Sequence, residues 1–266
     1  MYHTTVRTAV PNIQYDGPLQ KGPVANMRST ELDLTKYNSD KIANQYLQFY
    51  DPLFTPLANS NIALLELGIF NGGSLHLWKD YFPNGKISGI DLNIPEGFEN
   101  DDRMNAYKGS QVDFDFLKNI AEKEAPSGFD IIIDDASHIG ELSRQSFWYL
   151  FDNHLKPGGI YVIEDWGTGY WEDWPDGKAV SAPDGEKPSG TGFWAKLFSR
   201  AKNTNLTSSK VPMHNHSYGM VGFIKQLVDE QGANDMTRKT LAGTPERGSK
   251  FESVTILPSV VFVKKR

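Results

Sequence analysis

From residue 62 to residue 165, short apolar runs alternate with longer amphipathic stretches, and few folds admit that rhythm. IALLEL (62–67), KISGIDL (86–92), MNAYKGS (104–110), FDIIIDD (129–135) and IYVIED (160–165) read as strands. Between and after them, helical spacing appears in SLHLWKDYF (74–82), DFDFLKNIAEKEA (113–125), ELSRQSFWYLFDNHL (141–155) and MVGFIKQLVDEQG (220–232). Pro157-Gly158-Gly159 reads as the turn that closes the third of these helices. Strand–helix repetition of this kind predicts an α/β fold, a Rossmann-like, doubly wound, mostly parallel sheet. SVTILPSVVFVKK (253–265) predicts a closing antiparallel hairpin. A helix is also expected from Asp40 to about Leu57, ended by Pro52 and Pro56.

The flanks break this rhythm. Residues 1–38, with Pro11, Pro18 and Pro23, read as an N-terminal arm or lid, and residues 39–266 as the main domain. A long stretch at about 166–215 is rich in Gly, Pro, Asp and aromatics, including Trp166, Tyr170, Trp171 and Trp174. A loop of that length is usually functional. Its rings fit either a sugar-binding surface or a core beneath the loop.

Composition narrows the chemistry. The net charge of −6 is the wrong sign for a nucleic-acid partner. With no cysteine in 266 residues, disulfides and thiolate metal sites are excluded, so any metal takes oxygen or imidazole ligands, as Mg²⁺ or Mn²⁺ prefer. No apolar run approaches the roughly 20 residues of a membrane helix, which leads to the expectation of a cytoplasmic protein with no membrane partner.

The first chemical motif is Glu66-Leu67-Gly68-Ile69-Phe70-Asn71-Gly72-Gly73-Ser74, between a strand and a helix. A dinucleotide site wants G-x-G-x-x-G with pyrophosphate on the helix dipole. Here the glycines are spaced differently, and Glu66 would repel a pyrophosphate but suits the cationic methionine end of S-adenosylmethionine (SAM). Asp91, at the end of the second strand, is placed to accept ribose hydroxyls. Two further clusters, Asp134-Asp135-Ala136-Ser137-His138 and Glu164-Asp165, close successive strands. Adjacent strands lie about 4.8 Å apart, so these acids converge, and their repulsion calls for a hard divalent cation. His138 stands near enough to take a proton from a hydroxyl brought there. His214 and His216 are left outside the metal set, because an H-x-H in a polar loop is weak evidence.

LLELGIFNGGSLHLW (64–78) resembles the first SAM motif of catechol-type O-methyltransferases. A closer resemblance is to macrolide-sugar O-methyltransferases of the mycinamicin and macrocin type and to polysaccharide O-methyltransferases. Their T-D-K and spaced tyrosines are similar to Ser39-Asp40-Lys41, Tyr46 and Tyr50. Their DD-x-SH and P-G-G-x-Y-V-I-E-D signatures resemble Asp134–His138 and Pro157–Asp165. The match extends to IKQLVD (224–229) and SVVFVKK (259–265), and is weakest across 175–215.

That resemblance implies the class I SAM methyltransferase form of the fold, SAM and Mg²⁺ (or Mn²⁺) as cofactors, a small-molecule or oligosaccharide acceptor, and a homo-oligomer. Carried over by position, it implies Asp135, Glu164 and Asp165 as metal ligands, with Asp134 the alternative to Asp135, and His138 and Asp135 as catalytic. It implies Lys41, Tyr46, Glu66, Gly68, Gly72, Ser74, Asp91, Ser110, Gln111 and Asp134 at the cofactor. The expected reaction is methyl transfer to a sugar hydroxyl; a phenol or catechol acceptor and a non-catalytic SAM- or sugar-binding module are the alternatives.

Overall fold

The computed structural model describes residues 27–179 and 215–266. Seven strands form one sheet in the order β3-β2-β1-β4-β5-β7-β6. The first five, β1 (Ala63–Leu67), β2 (Lys86–Asp91), β3 (Met104–Lys108), β4 (Phe129–Asp134) and β5 (Leu155–Glu164), pair in parallel. β7 (Val260–Lys265) joins β5 antiparallel, and β6 (Phe251–Ile256) forms the outer hairpin strand. The predicted strands and the antiparallel end are all present.

Alternation along the strands builds two cores. Leu64, Ile131, Ile133, Val162 and Phe262 face α2 (Leu47–Phe54) and α3 (Gly73–Tyr81), where Phe54 packs edge to face with Tyr50, Trp78 and Tyr81. Leu65, Leu67, Ile132, Ile163 and Val261 face α4 (Phe114–Glu124), α5 (Gly140–Asn153) and α7 (Gly219–Gln231) through Phe147, Phe151 and Phe223. Chain order reverses direction between β1 and β4. In open α/β sheets, ligands bind at such a switch point, outside the carboxyl ends of the strands.

Two expectations are corrected. The helix expected over 40–57 is broken: α1 (Asp40–Ala43) ends at a turn in which Gln45 has φ 57°, and α2 starts at Leu47. Pro52 does not end α2 but lies inside it, on an exposed position where the carbonyl it leaves unpaired can meet water. Pro157-Gly158-Gly159 likewise does not separate helix from strand. It is a bulge within β5, with Gly158 at φ 77° and a register shift against β4.

Residues 27–38, the described part of the expected arm, pack on the domain. Leu32, Leu34 and Tyr37 lie against the first core, and the Tyr37 hydroxyl donates to Asp80 at 2.8 Å. Among the described residues, no helix is long and apolar enough to cross a membrane.

Candidate active site

The strand register delivers the acids. Leu67 is level with Asp134 and Asp134 with Ile163, so Gly68, Asp135 and Glu164 arrive side by side at the carboxyl edge of the sheet. Gly68 is required there. Its φ is +83°, and a Cβ would fall 2.2 Å from the Asp135 carbonyl oxygen. Gly72, at φ +81°, precedes α3, and its loop is tied to β2 by Asp91, whose Oδ2 accepts the N–H groups of Ile69 (2.9 Å) and Phe70 (3.1 Å). Asp91 is therefore at the predicted crevice, and it also fixes the glycine loop that forms the crevice wall.

Successive residues at a strand end point to opposite sides, and this separates Asp134 from Asp135. Asp134 faces the second core's side, where Gln111 Nε2 donates to its Oδ1 at 3.4 Å and Ser146 Oγ donates to its Oδ2 at 3.2 Å. Ser110 lies beside Gln111 and accepts the Val112 N–H at 3.3 Å. Asp135 faces the other way, towards Lys41, His138 and Asp165. Ligand atoms of Asp135, His138 and Asp165 lie within 4.8 Å of one another. His138 Nε2 is 3.6 Å from Asp135 and 3.8 Å from Asp165, and it is buried without a hydrogen-bond partner among the described residues. His138 and Asp165 both hold left-handed backbone conformations, at φ 49° and 52°. Such conformations cost non-glycine residues about 1–3 kcal/mol each and concentrate at functional sites.

Glu164 stands outside that three-residue group. Its carboxylate accepts from the Tyr50 hydroxyl and lies 3.0 Å from Lys41 Nζ. Lys41 is fully buried, and its ammonium also reaches Asp135 (2.8 Å) and Glu66 (3.1 Å). Glu66 in turn accepts from Ser74 Oγ at 2.7 Å. One ammonium thus joins the acid of the glycine motif to acids of both strand-end clusters. Burial alone would lower the Lys41 ammonium, but the three carboxylates outweigh it and hold Lys41 well above the usual lysine value. Burial dominates for the acids. It pushes the carboxyls of Glu66, Asp134, Glu164 and Asp165 up, against the pull of Lys41 or His138. Burial and the neighbouring Asp165 push the Tyr46 hydroxyl, which donates to Asp165 at 2.6 Å, far above its ordinary value.

The residues present suit a hard cation: buried carboxylates resisting ionisation, and an orphaned imidazole nitrogen facing two of them. A cage centred on Lys41 was not legible in the sequence, because it needs contacts across 25 (Glu66), 94 (Asp135) and 123 (Glu164) positions; only the Ser39-Asp40-Lys41 signature marked the residue. Of the loop aromatics, Trp166 Nε1 donates to the Leu257 carbonyl (2.9 Å) and Trp174 Nε1 to the His138 carbonyl (3.0 Å). Those two are structural props, while Tyr170 and Trp171 are exposed. His216 lies at 5.1 Å ring to ring from Tyr170, and His214 falls outside the described residues.

Sheet order, glycine loop and acids together define a class I SAM-dependent methyltransferase fold. No family model matches the chain. Its homologues are sugar O-methyltransferases. It is 42% identical over 129 residues to the mycinamicin VI 2''-O-methyltransferase of Micromonospora griseorubida, a match covering 46% of this chain and 31% of that protein. It is equally 42% identical over 129 residues to the demethylmacrocin O-methyltransferase of Streptomyces fradiae, covering 46% and 32%. Among solved structures, MycE methyltransferase in complex with Mg, SAH and mycinamycin VI superposes with a TM-score of 0.62 at 30% identity, covering 88% of this chain and 53% of that one. The chain thus matches from about a third to about half of the length of these relatives.

Proposed function

We propose that the protein transfers a methyl group from SAM to a hydroxyl of a sugar, in a reaction that needs a divalent cation. The observation that carries the proposal is the buried cluster of Asp135, His138 and Asp165, set at the switch point beside the glycine loop. SAM would lie along that loop, contacted by Glu66, Gly68, Gly72, Ser74, Asp91, Ser110, Gln111 and Asp134, with Lys41 and Tyr46 on the side of the acids. Asp135, Glu164 and Asp165 would hold Mg²⁺ or Mn²⁺, Glu164 being bridged to Asp135 through Lys41. When bound, SAM supplies an electrophilic methyl group and the cation supplies Lewis acidity that eases loss of the hydroxyl proton.

The chain's own residues do the rest. His138 Nε2, a buried nitrogen without a hydrogen-bond partner among the described residues, receives the acceptor's proton as the methyl arrives. Tyr46 and Tyr50 hold Asp165 and Glu164 in place by donating their hydroxyls. The 3₁₀ turn Trp166–Tyr170 begins directly after Asp165, and the exposed Tyr170 and Trp171 at its end are the residues that would meet the C–H face of a sugar. The two curated relatives are named for O-methylation of mycinamicin VI and of demethylmacrocin, and an acceptor of that class is proposed here.

The test is incubation with SAM, Mg²⁺ and a panel of mycinamicin VI, demethylmacrocin and free rhamnose, read by mass spectrometry. A gain of one methylene unit on a glycoside, abolished by EDTA and restored by Mg²⁺, is expected. Methylation undiminished in EDTA would remove the metal from the scheme, and titration with SAM that shows no binding would remove the activity.

A further inference from the structure

Asp176 is a buried carboxylate with no part in the scheme above. It lies on the short helix α6 (Pro175–Ala179) and is 4% exposed. Its Oδ2 accepts the backbone N–H of Gly140 at 2.7 Å and that of Met220 at 2.7 Å. These are the first residue of α5 and the second of α7, so one oxygen serves the positive ends of two helices. The helices meet closely. A Cβ on Gly140 would stand 2.0 Å from the Gly219 carbonyl carbon, and one on Gly219 would stand 2.3 Å from Asp176 Cγ.

Two residues before Asp176, Trp174 donates its indole N–H to the His138 carbonyl, and its ring lies 5.7 Å from the imidazole. The segment His138–Gly140 is therefore gripped twice from one stretch of chain, by the carbonyl of residue 138 and by the N–H of residue 140. His138 itself sits at φ 49°. A histidine keeps that conformation only when its surroundings over-determine it.

We infer that Trp174 and Asp176 are positioning residues, which together hold the His138 backbone in the left-handed conformation that aims Nε2 at Asp135 and Asp165. The inference rests on the reading of His138 as proton acceptor for its catalytic consequence, but the grip itself can be measured without turnover. It also gives the stretch after Glu164-Asp165 a second role, because the segment that begins at the acids returns to set the base.

The test uses the full chain with Mg²⁺ and S-adenosylhomocysteine, labelled with ¹³C at histidine Cε1, the His138 signal being assigned by its loss in His138→Ala. Trp174→Phe keeps an aromatic ring and deletes the shorter of the two side-chain donors to the His138 carbonyl, leaving Thr168 Oγ1 at 3.5 Å. Asp176→Asn keeps an acceptor oxygen for both N–H groups, whereas Asp176→Ala removes it and is the variant that risks misfolding. The His138 signal is expected to shift or broaden in Trp174→Phe, and less in Asp176→Asn than in Asp176→Ala. S-adenosylhomocysteine affinity in Trp174→Phe should stay within about twofold of wild type. A His138 signal unmoved in Trp174→Phe, or moved as far in Asp176→Asn as in Asp176→Ala, overturns the inference.

With mycinamicin VI as acceptor, Trp174→Phe should lower kcat by about 10–100-fold, the range a small misplacement commands, and cost nothing further in the His138→Ala background. A full loss in that background also overturns the inference while leaving the base assignment intact. Unchanged turnover in His138→Ala alone sinks the base assignment, and the histidine signal still decides the grip.

Discussion

Lys41→Met asks whether a single ammonium holds the two halves of the site together. The substitution keeps the stem and deletes the charge that stands 2.8, 3.1 and 3.0 Å from Asp135, Glu66 and Glu164. Removing one partner from a buried charge pair costs about 3–5 kcal/mol, because the remaining charge is left uncompensated. At about 2–4 °C per kcal/mol for a domain of this size, the melting temperature should fall by roughly 6–20 °C near pH 8.

The loss should shrink on acidification. Glu66 and Glu164 already have raised values, so the folded protein keeps protons that the unfolded chain releases above the ordinary glutamate value of 4.5. Stability therefore falls as pH rises from there, and without the ammonium it must fall more steeply. Urea unfolding followed by far-UV circular dichroism, at about pH 5.5 and about pH 8, measures both quantities. A loss below about 1 kcal/mol at the higher pH, or an equal loss at both, refutes the electrostatic account of the cage.

His138→Ala should lower kcat by about 10²–10⁴-fold while SAM affinity measured by calorimetry persists. Mg²⁺ at a hundred times its Kd should stabilise the fold by about 2.7 kcal/mol. Its apparent affinity should rise with pH, since a cation at Asp135, Glu164 and Asp165 competes with the protons that the raised Glu164 and Asp165 retain above their ordinary 4.5 and 3.8; thermal melts with and without Mg²⁺ across that range read the increment. Gly68→Ala should destabilise by more than about 2 kcal/mol in chemical denaturation, because its positive φ and the Asp135 carbonyl both exclude a Cβ.

The sheet was legible because its signal is local. FDIIIDD and IYVIED are buried on both faces of a parallel sheet and so read as continuous apolar runs. That Asp135 and Glu164 end side by side was legible for the same reason, since strand ends in register place their next residues together; that His138 and Asp165 close on Asp135 while Glu164 stands apart was not, because it follows from left-handed backbones past the strand ends. What failed was punctuation. Pro52 and Pro157-Gly158-Gly159 carry breaker chemistry, but an exposed helix face and a β-bulge accommodated them. What stayed hidden was long-range. Lys41 reads as one basic residue in a polar signature, and nothing near Asp176 announces that two helix ends will meet it. Trp174 reads as one ring of either a sugar-binding surface or a core beneath the loop, until its N–H is seen to hold the His138 carbonyl.

The most direct measurement is an anomalous difference map, at the manganese edge, from crystals grown with Mn²⁺ and S-adenosylhomocysteine. One strong peak bonded to Asp135, Glu164 and Asp165, with the His138 imidazole beside it, is the predicted result. A map without density among those side chains, or with the ion held elsewhere, contradicts the metal-assisted reaction.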